Sequence, residues 1–167
     1  LGTAKTVIIL ELEGQRKAII TSVHASVSAK KLLKRVECIG PVEISNESLI
    51  NIQTVVIDIL DRLMAGLELQ PLDYLISFSN PGAVSAKDTS ILIEGFSAEL
   101  PIFVAMLSTS LQMPISQDIV MTGHMASAGG DIAPVSGLTE KLKAAIENPN
   151  IARFIYPSME SELSFKS

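Results

Sequence analysis

Apolar and polar residues alternate from Thr6 to Leu12, break at Gly14, and alternate again from Lys17 to Val27, which predicts an antiparallel hairpin. Ala29 to Val36 is short and basic and is predicted as a helical turn or two. From Ser45 the period changes. Leu49, Ile52, Val56, Ile59 and Leu63 recur at three-then-four spacing, with Ser45 or Asn46 as the N-cap and Gly66 as the stop, so a helix is predicted with those five residues on its buried face. Gln70-Pro71 closes the connection and Tyr74 to Ser79 alternates as a strand. Asn80 to Asp88 collects Pro81, Gly82, Ser85 and Asp88, the composition of a loop, and Ile91 to Ile93 then runs apolar into Glu94-Gly95.

Beyond that break, Leu100, Val104, Leu107 and Leu111 share one helical face, and Pro101 is tolerated in the first turn, where its missing N–H has no intrahelical partner to lose. Ser97 is therefore expected at a helix entrance. Asp118 to Gly123 predicts a strand, Gly129-Gly130 a turn and Asp131 to Val135 a return strand. Ser136 is expected to cap a helix from Leu138 to Glu147, with a last strand over Ala152 to Pro157. Strands and helices mix without strict alternation, and no repeat or linker divides them. The expectation is an α+β fold of mixed small sheets packed with helices, a single domain over 1–167.

At 167 residues and 47% hydrophobic composition, such a chain can bury about 70% of the surface its unfolded form exposes. A mean hydropathy of +0.39 with few aromatics predicts an aliphatic core and apolar surface reserved for a subunit interface. The net charge of −5, with basic residues scattered apart from Lys30 to Arg35, argues against a nucleic-acid or anionic-membrane partner. Cys38 is the only cysteine, which excludes an internal disulfide and speaks against a cysteine-based metal site. No apolar run approaches the ~20 residues of a membrane span. The chain opens on Leu1 and is expected to be a piece of something longer.

Two segments carry chemistry: Glu94-Gly95-Phe96-Ser97-Ala98-Glu99 and Gly137-Leu138-Thr139-Glu140-Lys141. A serine hydroxyl is a weak nucleophile until a base takes its proton, and it gains from backbone N–H groups where negative charge develops. Ser97 has such groups by its place at a helix start, and Gly95 permits the sharp turn before it. A lysine acts as a base near neutrality only when its pKa falls from about 10.4 toward 7 to 8. Leu138, Ala144 and Ala145 give Lys141 a small apolar face, whereas Lys143 neighbours Thr139, Glu140 and Glu147 and reads as solvated. The pair lies 44 residues apart, so only the tertiary fold can join it. Read from residue types alone, Ser97 could equally be a simple cap and Lys141 a lysine that snorkels to water.

These segments, with Gln117 to Gly123, Pro134 to Gly137 and Ile155-Tyr156-Pro157, resemble the proteolytic domain of Lon proteases, more the archaeal B type than the bacterial A type. The resemblance implies an α+β Lon-like fold and a serine endopeptidase of unfolded polypeptides. It makes Ser97 the nucleophile, Lys141 the general base, Thr122 the residue that holds the lysine, and Glu94 the acidic residue that gates or orients the site after the Gly95 turn. It also implies a homo-oligomer in the form of a hexameric ring, in the cytoplasm or at the cytoplasmic membrane face through a segment outside this chain. No cofactor or metal is expected. No phosphate-binding Gly-x-x-x-x-Gly-Lys-Ser/Thr occurs, so ATP enters only if a separate or removed AAA+ module accompanies the chain. Phe96, His124 and Ser136 depart from the commoner family residues, the turn at Ala126 to Gly130 is one residue longer, and Asn80 to Ser90 looks inserted. The first 70 residues match only in element order, and the family's final strand-helix unit is not evident after Glu160.

Two other readings compete with a Ser-Lys endopeptidase. A catalytically inactive Lon-like assembly module would lack the serine-lysine pair that this chain keeps. A Ser-His-Asp hydrolase built from Ser97, His124 and Asp131 has the residues but no motif around His124, which reads better as a turn histidine. His24 reads as a packed or edge residue, Ser85-x-Lys87 as a coincidence in a loop, and Met106 and Met121 as core.

Overall fold

A long two-stranded ladder organises the molecule. In the computed structural model, which describes residues 1–12, 14–79, 91–93 and 96–158, β1 (Thr3–Leu12) pairs antiparallel with β2 (Gln15–Val27) from Thr3↔His24 to Leu12↔Gln15. This is the hairpin that the alternation predicts. It forms the middle of a six-stranded mixed sheet. On one side β1 runs parallel to β7 (Ile119–Met121), which runs parallel to β10 (Arg153–Ile155). On the other side β2 pairs antiparallel with β5 (Tyr74–Phe78), which runs parallel to β3 (Val36–Cys38). Two small sheets complete the set: β4 (Val42–Ile44) with β6 (Ile91–Ile93) in parallel, and β8 (His124–Met125) with β9 (Ile132–Ala133), a return hairpin whose outgoing strand follows the predicted Asp118 to Gly123 strand instead of being it. Mixed sheets packed with helices agree with the α+β expectation.

Side chains alternate across a strand, so β1 serves two layers. Ala4, Ile8 and Leu10 join the main core with Val23, Ala25, Ile76 and residues of three helices: α1 (Asn46–Asn51), α2 (Ile57–Gly66) and α3 (Glu99–Leu111). Val7 is buried outside that cluster, and Ile9, two residues on and on the same face, lies against Gly137 just before α4 (Leu138–Glu147). Helix α4 packs on β1, β2 and β10. The sheet thus carries α3 on one face and α4 on the other.

Several local expectations are corrected. Ala29 to Val36 is turn and bend leading into β3, not helix, and Arg35 adopts φ 75 with its guanidinium held by Asp61 and Asp73. Ser45 caps α1 by accepting the Ser48 amide, but between α1 and α2 the backbone makes a π-helical turn over Ile52–Val56. The wider turn rotates α2 about its own axis relative to an unbroken helix. Leu60 and Met64 are buried in place of Ile59 and Leu63, and Leu63 is 45% exposed. On α3 the buried residues are Glu99, Pro101, Ile102, Ala105, Met106 and Ser108 rather than the predicted Leu100 stripe, whose members are only partly buried. Helix α4 is preceded by Gly137 at φ 69 with no side-chain cap, so Ser136 does not cap it.

Candidate functional site

The Ser97 turn is tied to the end of β7. Ala98, not Ser97, is the residue at the α3 boundary, and Ser97 lies in the turn just before it. Its carbonyl accepts the Gly123 amide at 2.9 Å and the Thr122 hydroxyl at 3.2 Å, while the Leu100 amide donates to the Gly123 carbonyl at 3.1 Å. Gly123 is there because nothing larger fits: a Cβ would stand 2.9 Å from Ile132 Cγ2 and 3.2 Å from Leu100 Cβ. Thr122 is fully buried, and its amide donates to the Ile155 carbonyl of β10 at 3.0 Å. Glu94 and Gly95, singled out in the sequence, and the Ser85 and Lys87 pair lie outside the described residues.

Lys141 stands in the first turn of α4, 3% exposed, on the stripe that also buries Ala145. Burial lowers its pKa to about 8 against the upward pull of neighbouring Glu140, because a charged ammonium is disfavoured away from water. Lys143, on the same helix, is exposed and faces Glu147 at 4.0 Å. The α4 start is fixed against the β1–β2 hairpin, by the close approach of Gly137 to Ile9 of β1 and by a contact of Arg16 of β2 with Glu140 at 3.5 Å. In the parallel register Lys5↔Val120, Ile9 lies a few residues further along β1, level with the stretch just past β7. The Ser97 turn and the first turn of α4 therefore reach the same end of the sheet from opposite faces. The structure joins Ser97 to Thr122; among the described residues no hydrogen bond joins the Ser97 hydroxyl to the Lys141 amine.

His124 is where the sequence and the structure differ most. Asp131 accepts from the Ser127 hydroxyl at 2.6 Å, and His124 instead has Nε2 3.5 Å from Oε1 of Glu99, so the Ser97, His124 and Asp131 combination is not assembled. Glu99 is 0% exposed and accepts from Asn51 Nδ2 at 2.8 Å, the Met125 amide at 3.1 Å and Ser48 Oγ at 3.2 Å. The other histidine, His24, sits between Thr3 Oγ1 at 3.0 Å and Ser79 Oγ at 2.7 Å, a packed residue as expected. Glu99 escaped the sequence reading because an acidic residue in a first helical turn is ordinarily an exposed partner of the helix dipole. Its one signal was a departure from solubility logic: a carboxylate two residues from a candidate nucleophile at the start of a nearly all-apolar helix.

An α+β domain with a serine turn and a buried, weakly basic lysine at one end of a mixed sheet has the makings of a hydrolase site without histidine as base. Residues 83–164 match the model of the Lon protease (S16) C-terminal proteolytic domain, and by this stretch the chain belongs to that family. The relatives it is similar to include the archaeal Lon proteases of Pyrococcus abyssi, 27% identical over 95% of this chain, and of Thermoplasma volcanium, 31% identical over 70%. The archaeal Lon protease of Archaeoglobus fulgidus is 29% identical over 83% of the chain. The chain spans only 15%, 16% and 20% of the length of these three proteins.

Proposed function

We propose that the chain is the peptide-cleaving part of a Lon-type serine endopeptidase, with the Lon proteolytic fold, acting on unfolded polypeptides through Ser97 and Lys141. The observation that carries this reading is the buried Lys141 amine, with a pKa near 8, at the sheet end reached by the Ser97 turn. In the reaction, neutral Lys141 takes the Ser97 proton as the hydroxyl attacks the scissile carbonyl, and the resulting ammonium then protonates the departing amine. Thr122 bonds the Ser97 carbonyl and so links the nucleophile to the sheet that supports α4. Backbone amides near Ser97 take the oxyanion role. Glu94 and Gly95 keep the gating and turning roles that the family pattern gives them. The working form is a homo-oligomer, a hexameric ring, and ATP acts only through an AAA+ module outside this chain.

Cleavage of a fluorogenic peptide is the test. Ser97→Ala and Lys141→Met should each lower turnover to the background level with an unchanged circular dichroism spectrum. Undiminished turnover in Ser97→Ala overturns the assignment. An assembled wild-type oligomer that neither cleaves nor reacts with a serine-directed probe would make it an inactive assembly module.

A further inference from the structure

Glu99 and His124 have no part in the chemistry above, yet they close a circuit around Ser97. Glu99 follows Ser97 by two residues and is fully buried, and burial pushes its carboxyl up to about 7 in spite of the donors Asn51, Met125 and Ser48. Oε2 receives Asn51 and Ser48 of α1, and Oε1 receives the Met125 amide of β8 and faces His124 Nε2. Among the described residues, the α1 side chains in contact with the carboxyl are neutral, and His124 is the only titratable group that touches it. Phe96 stacks on the imidazole, the ring centroids 4.4 Å apart and the planes 21° from parallel. Phe96 is covalently joined to Ser97, whose carbonyl is held by Gly123, the residue before His124. The chain therefore runs from Glu99 to imidazole to Phe96 to Ser97 and back to Glu99.

We infer that Glu99 and His124 are positioning residues for the Ser97 turn: the buried carboxylate holds the imidazole, and the imidazole is the support on which Phe96 sets the backbone carrying the nucleophile. The inference rests on Ser97 being the nucleophile. It adds a second ionisation to the reaction. Every neighbour of the carboxyl other than His124 is a donor, so a carboxylate is well served there; a carboxylic acid beside an imidazolium places donor against donor. Acid pH then loosens the stack, and turnover acquires an acid-side limb separate from the limb set by Lys141. His124 is 26% exposed and its own pKa is lowered by burial, in the same direction as a support that works with the imidazole neutral or sharing the pair's proton.

Peptide turnover measured from about pH 5 to 10 in the wild type, Glu99→Gln, His124→Asn and the double variant tests this, together with side-chain NMR of His124. The expected result is a kcat lower by about ten- to a hundredfold in each single variant, the size of loss that small misplacement of a reacting group produces. KM should stay within about twofold, the acid limb should be lost, and the double variant should be no worse than the worse single, since the two act as one unit. The His124 titration midpoint should move in Glu99→Gln. An unchanged kcat and acid limb in His124→Asn, a partly exposed site expected to fold even if Glu99→Gln does not, overturns the inference. So does a His124 midpoint indifferent to Glu99. Turnover surviving in Ser97→Ala removes the nucleophile reading and this inference with it; a silent Ser97→Ala beside an unmoved His124 midpoint removes the inference alone.

Discussion

A lysine amine with 3% exposure is held where its proton is least welcome, and that has opposite consequences for stability and for activity. The folded-state pKa near 8 lies below the ordinary 10.5, so between those values the unfolded chain binds the extra proton and stability rises with pH. Below pH 8 both states are protonated, and the full cost of the buried charge is present. Lys141→Met should accordingly raise Tm at pH 7 by about 5 °C, with the gain shrinking as pH is carried toward 10.5. Wild-type peptide cleavage should climb through about pH 8 and level off above it, because only the neutral amine accepts a proton. A melting curve for Lys141→Met below the wild type at pH 7, or a cleavage rate flat across pH 8, would count against a buried basic amine. Glu99 works in the other direction. Its raised pKa means that stability is lost as pH rises from 4.5 through about 7, whereas Lys141 restores stability only above about 8, so the two buried groups together set a minimum near neutrality.

Among the elements, the helical region after Ser45 separates two readings of one sequence. The π-helical turn over Ile52–Val56 advances the buried stripe from Ile59 and Leu63 to Leu60 and Met64. Leu60→Ala should cost about 2–5 kcal/mol in denaturant unfolding, the range for emptying a packed leucine site, while Leu63→Ala should stay within about 0.5 kcal/mol. Equal costs would restore the unbroken stripe. This region also shows what the sequence can convey. The period of the apolar residues, the Ser45 cap and the Gly66 end are local signals, and they locate the helical segment to within a residue or so. The extra residue in one turn has no local signal, because Ile52, Gln53, Thr54, Val55 and Val56 suit either winding. The β1–β2 hairpin and α4 were legible for the same reason of period, whereas the β4–β6 pair joins residues 42–44 to 91–93 and left no trace in either stretch. At the site, the apolar neighbours of Lys141 were legible and its burial followed from them. The meeting of Glu99 with His124 was not, since it spans 25 positions and depends on α3 and β8 arriving at one place.

For the whole molecule, part of the high hydropathy is expressed on the surface near α4. Ile146 is 74% exposed and Leu142, one turn earlier, 37%, with Ile155 and Tyr156 exposed on and just after neighbouring β10. In the proposed oligomer this neighbouring set of apolar side chains gains from being covered. Ile146→Glu should shift the assembly toward monomer in sedimentation velocity without lowering the Tm of the dissociated chain. An unchanged sedimentation profile would move the interface elsewhere.

The parallel run of β10, β7 and β1 has a further consequence for how such an enzyme is made. The serine turn rests on β7, whose neighbours are β1, from the first residues, and β10, from beyond residue 150. The lysine helix lies between β7 and β10 in sequence and packs on both β1 and β10. Both the Ser97 turn and the Lys141 helix therefore depend on β1, and the pairing of Lys5 with Val120 that brings β7 to it is distant in sequence, a kind of contact that forms late. Under the proposed function, a domain assembled in that order has no working serine-lysine pair until these long-range contacts with β1 have formed.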